Sequence, residues 1–327
     1  MNSKRLTMIG MAGLLAGGLL VAGPAAADDT KLVRVGGPIK NLIGRDLNGV
    51  HWNGHLLDGR QVTAVYLDSA ELDGDTLSRV ELRRSRLWGR RVNGGRVPPR
   101  RMAGATFEAL LDDGTLLRLL IEQVERAGGE DGRRMLHYRV SYESLQGWRP
   151  LCGSDADGAA RWAIPLAGRW NLAQGVAGGG DHVAEPGAFT FACEDFVLAK
   201  CVRAGYRPWM RVWYWLPGEG FQVTTLAAHH QACTRLLRAD YCGDGTSHTV
   251  DGIWVNLYDA LGVRIDVDDW PFEAEWTPDG AACVASGRLP DTPLPACATA
   301  LASDHCGDPA HFEQDSLLFS EVAPESP

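Results

Sequence analysis

The side chains best placed to do chemistry crowd into one short stretch: Asp240, Cys242, Asp244, His248 and Asp251. Cys242 and His248 could form a nucleophile and base, oriented by one of the aspartates. Such a cysteine needs a lowered thiol pKa and a base at hydrogen-bonding range. Asp240, Asp244, His248 and Asp251 could instead ligate calcium, for which carboxylates and carbonyls suffice. Their spacing fits no EF-hand loop, which places glycine sixth and glutamate twelfth. Asp155-x-Asp157-Gly158 is likewise only a fragment of such a loop. Aspartates beside glycines also build turns by accepting backbone N–H groups, and this plainer use is favoured here. Against a nucleophile stands position. Residues 225–240 read as a helix, and Cys242 follows its C-terminus, where free carbonyls concentrate negative potential and raise a thiol pKa.

Other groups offer less. Of His229 and His230, one must lie near the buried face of that helix, where a bonded core histidine is the expectation. Asp266, Asp268, Asp269 and Glu273 cluster in sequence, but acid-pair glycoside hydrolysis depends on spatial separation, so a charged loop is expected. Tyr206, Trp209, Trp213, Tyr214, Trp215 and Phe221 concentrate aromatic surface. Alternation of Trp213 and Trp215 about Tyr214 predicts either a central strand covered on both faces, which is preferred, or a strand with one face open as a platform for sugar or peptide, with Trp213 and Trp215 as its contacts.

Eight cysteines (Cys152, Cys193, Cys201, Cys233, Cys242, Cys283, Cys297 and Cys306) all follow residue 150. The compartment decides what they do. Lys4 and Arg5 precede an apolar run over residues 8–22, and Ala25-Ala26-Ala27 then offers a small-residue cleavage site before Asp28. The run falls short of the ~20 residues a membrane helix needs. The pattern predicts a signal peptide over residues 1–27 and export to the periplasm, cell surface or medium, with no membrane anchor after cleavage. In an oxidising compartment the eight cysteines predict up to four disulfides, whose connectivity the spacing leaves open. No CxxC pair favours zinc. The chain is acidic, with a net charge of −9, which disfavours nucleic acid as a general partner. No cofactor is expected.

The elements that must position these groups divide the chain. From Leu42 onward every fifth residue is apolar: Leu42, Leu47, Trp52, Leu57, Val62, Leu67, Leu72, Leu77, Leu82, Leu87, Val92 and Val97. Turn pairs such as Asp58-Gly59, Asp73-Gly74 and Asn93-Gly94 follow many of these positions. Period five fits neither a helix nor a single strand, but a chain that turns a corner every five residues. The stretch resembles the pentapeptide-repeat family, and the resemblance implies a short right-handed, four-sided β-solenoid. Departures occur two residues before the apolar position, where Arg45, His55, Arg60 and Arg90 would point inward at a cost. Arg79, Arg83, Arg84, Arg86, Arg90, Arg91, Arg96, Arg100 and Arg101 face only Glu81. They predict a solvated face paired with the acidic remainder or, second, an anion-binding surface for polysaccharide, lipid headgroup or acidic protein. Val97-Pro98-Pro99 marks a boundary, giving a repeat-like segment over 28–102 and a second domain over 103–320.

Strands are predicted on either side of Asp112-Asp113-Gly114 within 105–124, and at 135–143, 187–193, 252–258, 262–266 and 271–276. A short helix over 196–204 carries Cys201. In the longer helix over 225–240, Thr224 or Thr225 is the expected cap, Leu226, His230, Cys233 and Leu237 the buried face, and Gly243 the stop. Ala239-Asp240-Tyr241-Cys242 resembles the motif that names the ADYC-domain family. Trp148-Arg-Pro-Leu-Cys152, Ala199-Lys-Cys201, Gly205-Tyr-Arg-Pro-Trp209 and Phe272-Glu-Ala-Glu-Trp276 are similar to the family in the expected order, over about 103–300. The resemblance implies an exported bacterial protein and names no reaction. The expected fold is mainly β: a short solenoid-like segment, then a disulfide-bonded β-rich α+β domain with one clear helix. The expected function is a non-catalytic binding or surface-interaction module, with an envelope or extracellular protein or polysaccharide as partner. The alternative is an exported hydrolase using a carboxylate, histidine or metal site around Asp240–Asp251. A DNA mimic, a role of some pentapeptide solenoids, is disfavoured by export and the basic end.

Overall fold

The computed structural model describes residues 57, 59–128, 134–216, 220–250, 252–266, 269–303, 305–308 and 316–324. The signal-like leader, the first repeats at Leu42, Leu47 and Trp52, and the acidic residues Asp251 and Asp268 lie outside them.

The chain is mainly β. Six antiparallel strands form a closed ring: Val62–Tyr66, Ala188–Cys193, Ala163–Ala167, Arg134–Ser144, Leu116–Gly128 and Thr106–Leu111, the last pairing back onto the first. A ring this small is filled by side chains. Phe107, Leu119, Ile121, Tyr138, Phe189 and Phe191 are all buried in its core, with Phe189 edge-on to both Phe107 and Phe191. Glu71–Leu72 pairs with Thr106 and extends the sheet through Asp75–Leu82, Leu87–Arg91 and Arg96–Val97. Strands on both sides of residue 102 therefore share one sheet.

A second core lies against the ring. Helices α1 (Val197–Arg203) and α2 (Ala227–Arg238) pack with a four-stranded sheet ordered Val255–Asp259, Leu318–Val322, Phe272–Thr277 and Gly280–Val284. Ala188–Cys193 buries all six residues because its faces meet different cores: Phe189, Phe191 and Cys193 the first, Ala192 the second. A strand covered on both faces reads as a near-continuous apolar run, here broken only by Thr190.

Four disulfides join Cys152 to Cys193, Cys201 to Cys233, Cys242 to Cys297 and Cys283 to Cys306. Cys201–Cys233 ties α1 to α2, and Cys297 sits on α3 (Ala296–Ala300). Each bridge contributes roughly 2–4 kcal/mol. No cysteine is free, so a thiol assay in denaturant without reductant is expected to read zero, and eight after reduction. A thiol titrating at Cys242 without reductant would overturn that pairing. Among the described residues, no helix is long and apolar enough to cross a membrane.

Several expectations need correction. Over residues 57–102 the period-five stretch is not a solenoid. Leu72, Leu77, Leu87 and Val97 are buried as expected, but on antiparallel hairpins, while Val92 stands 79% exposed. The turn pairs do reverse the chain: Asp73 (φ 58°) and Gly74 (φ 84°) make a two-residue hairpin turn. What they join are neighbouring strands, which a local period cannot distinguish from the corners of a coil. Arg90, which a coil would bury, faces solvent on the hairpin. Residues 262–266 form no strand, because the chain there wraps the Asp259 carboxylate, which accepts N–H groups from Leu261, Val263 and Arg264. Helix α2 has no threonine cap. Thr224 and Thr225 belong to a strand, Leu226 occupies the cap position, and its N–H bonds to the Met210 carbonyl. The helix ends at Ala239 rather than Gly243: Ala239 adopts a left-handed φ of 49°, and its N–H reaches the carbonyls of Arg235 and Leu236.

Candidate functional site

The chemistry-bearing residues after α2 form a buried polar knot. Asp240 is fully buried and accepts Arg235 Nη1 at 2.5 Å and the backbone N–H groups of Asp244 (3.1 Å) and Gly245 (2.9 Å). Arg235, also fully buried, donates to the carbonyls of Gly179 (2.6 Å) and Pro278 (3.0 Å) and pairs with Asp181. The loop that Asp240 gathers lies so close to the 272–284 hairpin that a Cβ on Gly243 (φ 66°) would sit 1.7 Å from the Asp279 carbonyl oxygen. Only glycine fits there.

Tyr241 holds the other side. Its hydroxyl donates to Glu273 Oε1 (2.7 Å) and accepts the Arg288 N–H (2.9 Å). Arg288 grips Glu273 with Nε at 3.0 Å and Nη2 at 2.7 Å. Ser320 donates to Glu273 Oε2 (2.8 Å) and accepts from the Trp276 indole (2.8 Å), whose ring stacks on Tyr241. Burial, with Glu273 beside it, pushes the Tyr241 phenol far above its ordinary range, so it stays a donor. Cys242 closes the knot through Cys297. Ala239, Asp240, Tyr241 and Cys242 thus end a helix, gather a loop, anchor a sheet and form a bridge.

This placement takes apart the sequence-derived site. Asp244 accepts the Thr246 N–H (2.9 Å) in a turn. His248 is half-buried near the Tyr241 ring, with its pKa lowered by that burial. Asp251 lies outside the described residues. Among the described residues the one trio of possible ligands at metal-binding separation is Glu275, Cys283 and Cys306, and both cysteines are spent in a disulfide. Glu273 belongs to the knot, Asp269 is exposed, and Asp266 shares the Asn256 amide with the distant Glu321 (2.7 and 2.9 Å).

A cleft with aromatic walls lies elsewhere. Of about 300 Å³, it lies between the hairpin tip Leu82–Arg84–Ser85 and the start of α2, walled by Trp170, Trp209, His182 and His230. That volume sits at the lower end of small-molecule sites. The tip is unusual: Arg84 (φ 51°) and Ser85 (φ 60°) are both left-handed, where such turns ordinarily take Asn-Gly. The polar side chains on the α2 side are committed, whereas the buried Ser85 hydroxyl at the tip has no hydrogen-bond partner among the described residues. Gln231 accepts the Trp170 indole N–H (3.2 Å) and donates to the Gly180 carbonyl (2.9 Å). His230 Nε2 lies 3.0 Å from the Leu198 carbonyl and His182 Nε2 lies 2.9 Å from the Ala167 carbonyl. Burial lowers the His230 pKa to about 4, so its ring is neutral near pH 7. Trp170 packs against both histidine rings, at 4.7 and 5.7 Å.

From this rim rises a two-stranded hairpin, Arg211–Leu216 with Gly220–Thr225, whose flanking residues Trp209 and Ala227 both line the cleft. Trp213 is 72% exposed and Phe221 73%, so the covered-strand expectation for Trp213 gives way to an open aromatic face. Only one face of the hairpin is covered, that on which Val212 packs against the second core. Trp215 lies on the same strand, opposite Phe221. Sequence reasoning missed Trp170, Arg84 and His182 as cleft residues. Trp209, in the Gly205–Trp209 run, His230, on the helix face, and Arg84, in the basic stretch, carried signals, but none that pointed to a cleft.

The chain belongs to the ADYC family, whose model, described as the ADYC domain, matches residues 99–290. The matched span contains α1, α2, most of the cleft and the knot residues from Arg235 to Arg288, but not Cys297, Ser320 or the tip at Arg84 and Ser85. No curated protein and no solved structure matches the chain.

Proposed function

We propose that the protein is an exported, non-catalytic binding module that holds a sugar ring in the cleft between the hairpin tip and α2. One observation carries this reading: indole rings line the cleft while its Gln231, His230 and His182 side chains are already bonded to the scaffold. Ring faces without a mobile acid or base suit recognition better than proton transfer. The open face with Trp213 and Phe221 extends aromatic surface from the rim, with Trp215 on the same strand as a further contact. Export rests on the leader pattern and draws support from four disulfides.

The hydrolase alternative around Asp240–Asp251 is weakened because Asp240 and Cys242 serve the scaffold. Calorimetric titration of the full chain with neutral cello-, malto- and chito-oligosaccharides tests the proposal. Saturable binding to at least one series is expected, weakened at least ~10-fold by Trp209→Ala, with no new reducing ends. Failure of every series to saturate, indifference to Trp209→Ala, or release of reducing ends would each sink the reading.

A further inference from the structure

The hairpin strands before residue 99 carry a second surface, outside the span matched by the family. Arg79 pairs in register with Arg90, and Arg90 with Arg96, so three arginines stand in one row across three adjacent antiparallel strands. All three positions are exposed. Adjacent strands lie about 4.8 Å apart, and like charges directly opposite one another destabilise a sheet. Compensation within the fold is incomplete. Glu81 pairs with Arg79 and Arg83, while Arg90 and Arg96 have no ion pair among the described residues. Among the described residues the expected pairing with the acidic remainder of the chain does not occur: the ion pairs of this stretch reach Glu81, Asp73 and Asp75. The row borders a groove of about 340 Å³, lined by Arg79, Glu81, Arg83, Trp88, Arg90 and Arg96. Trp88 is 38% exposed and stands beside Arg90 on the same face, opposite Glu81.

We infer that this groove binds an acidic polysaccharide. Successive carboxylates meet Arg79, Arg90 and Arg96, and the Trp88 ring stacks on the face of a sugar. The strand spacing matches the order of length of one sugar residue along an extended chain, so a row of guanidinium forks meets a row of uronate groups without distortion. Arginine presents paired N–H donors that fit a carboxylate bidentately. Trp88 adds what a lone charged row lacks, an apolar plane suited to sugar C–H groups. The overall acidity of the chain, net −9, repels polyanions elsewhere and confines them to this row. This surface is separate from the cleft and goes beyond the function proposed for it.

The test uses the full chain with soluble polygalacturonate as probe, neutral dextran as the uncharged control and single-stranded DNA as the competing polyanion. Polygalacturonate is expected to bind and to weaken with salt, and dextran not to bind. Arg90→Glu with Arg96→Glu is expected to weaken binding at least ~10-fold, and Trp88→Ala several-fold, without loss of melting temperature. Arg90→Gln is expected to raise the melting temperature at low salt while weakening polygalacturonate, because it relieves the repulsion the ligand would neutralise. Trp209→Ala in the cleft is expected to leave polygalacturonate binding intact, so failure of the cleft reading is distinguishable from failure of this one. No binding to polygalacturonate, or equal binding by the charge-reversed variant, overturns the inference. So does equally tight binding of DNA with Trp88→Ala silent, which would mark unselective attraction of polyanions.

Discussion

Replacing Asp240 with alanine is expected to cost the folded state about 3–5 kcal/mol, the range seen when one partner of a buried ion pair is removed. Arg235 would remain at 0% exposure with its charge and lose the Asp240 carboxylate. The loop amides of Asp244 and Gly245 would lose their acceptor together, and each unmet buried donor adds its own penalty. The comparison that isolates the effect is Asp181→Ala. Asp181 meets the same guanidinium, but its side chain is 45% exposed, so about 1 kcal/mol or less is expected. Tyr241→Phe should fall between, at about 1–3 kcal/mol, because it strips both Glu273 and the Arg288 amide of a partner. Urea titrations of the three variants decide the matter. Equal small losses for Asp240→Ala and Asp181→Ala would show that the motif does not organise the fold.

Acidification is expected to destabilise the protein between about pH 6.5 and pH 4 through His229 and His230. Burial lowers both side chains to about 4. His229 stacks on Tyr206, and its Nδ1 has no hydrogen-bond partner among the described residues, so a proton there would enter an apolar site. His230 faces Trp170 and the Leu198 carbonyl, with His182 opposing added charge. The sign follows from proton counting. Below about 6.5 the unfolded chain takes up a proton at each ring, while the native chain does so only near 4. The unfolded state therefore binds more protons across that window, and stability falls as pH falls. A depression of this size corresponds to roughly 3 kcal/mol per histidine by pH 4.

Asp259 and Glu321 oppose part of this loss, because burial raises their carboxyl pKa values. For these acids the native state holds its proton longer, so their contribution is present at low pH and is lost as pH rises. The histidine contribution is read by difference. His229→Gln with His230→Gln should flatten the acid limb of unfolding free energy between pH 7 and 4.5, whatever it does to stability at pH 7. An unchanged slope would remove the histidines as its cause.

Local chemistry written in the residues carried far in the second half of the chain. The apolar i, i+4, i+7 pattern at Leu226, His230 and Cys233 named helix α2, and all three are buried. Alternation over 135–143 named a strand that runs Arg134–Ser144. An even number of cysteines behind an export-like leader named disulfides, and four form. These succeed because helix periodicity, strand alternation and oxidation of thiols depend on neighbours in sequence or on the compartment alone.

The rest depended on partners far along the chain. Turn pairs such as Asp73-Gly74 told where the backbone reverses. They could not tell that Val65 would pair with Phe189 and close a ring, because no local signal encodes a partner so distant in sequence. Asp240, Cys242 and His248 read as a reactive set only while Arg235, Gly179, Glu273 and Cys297 were unplaced. Once folding brings those groups in, the acid is neutralised, the thiol is bridged, and the most reactive-looking run becomes the least available. Residue types alone determined an export-like, disulfide-bonded, mainly β chain with a basic stretch. Tertiary structure decided that its motif is scaffold and that its open surfaces are the aromatic cleft and the arginine row. Burial and register, which settle whether a polar group is spent or free, are properties of the packed molecule.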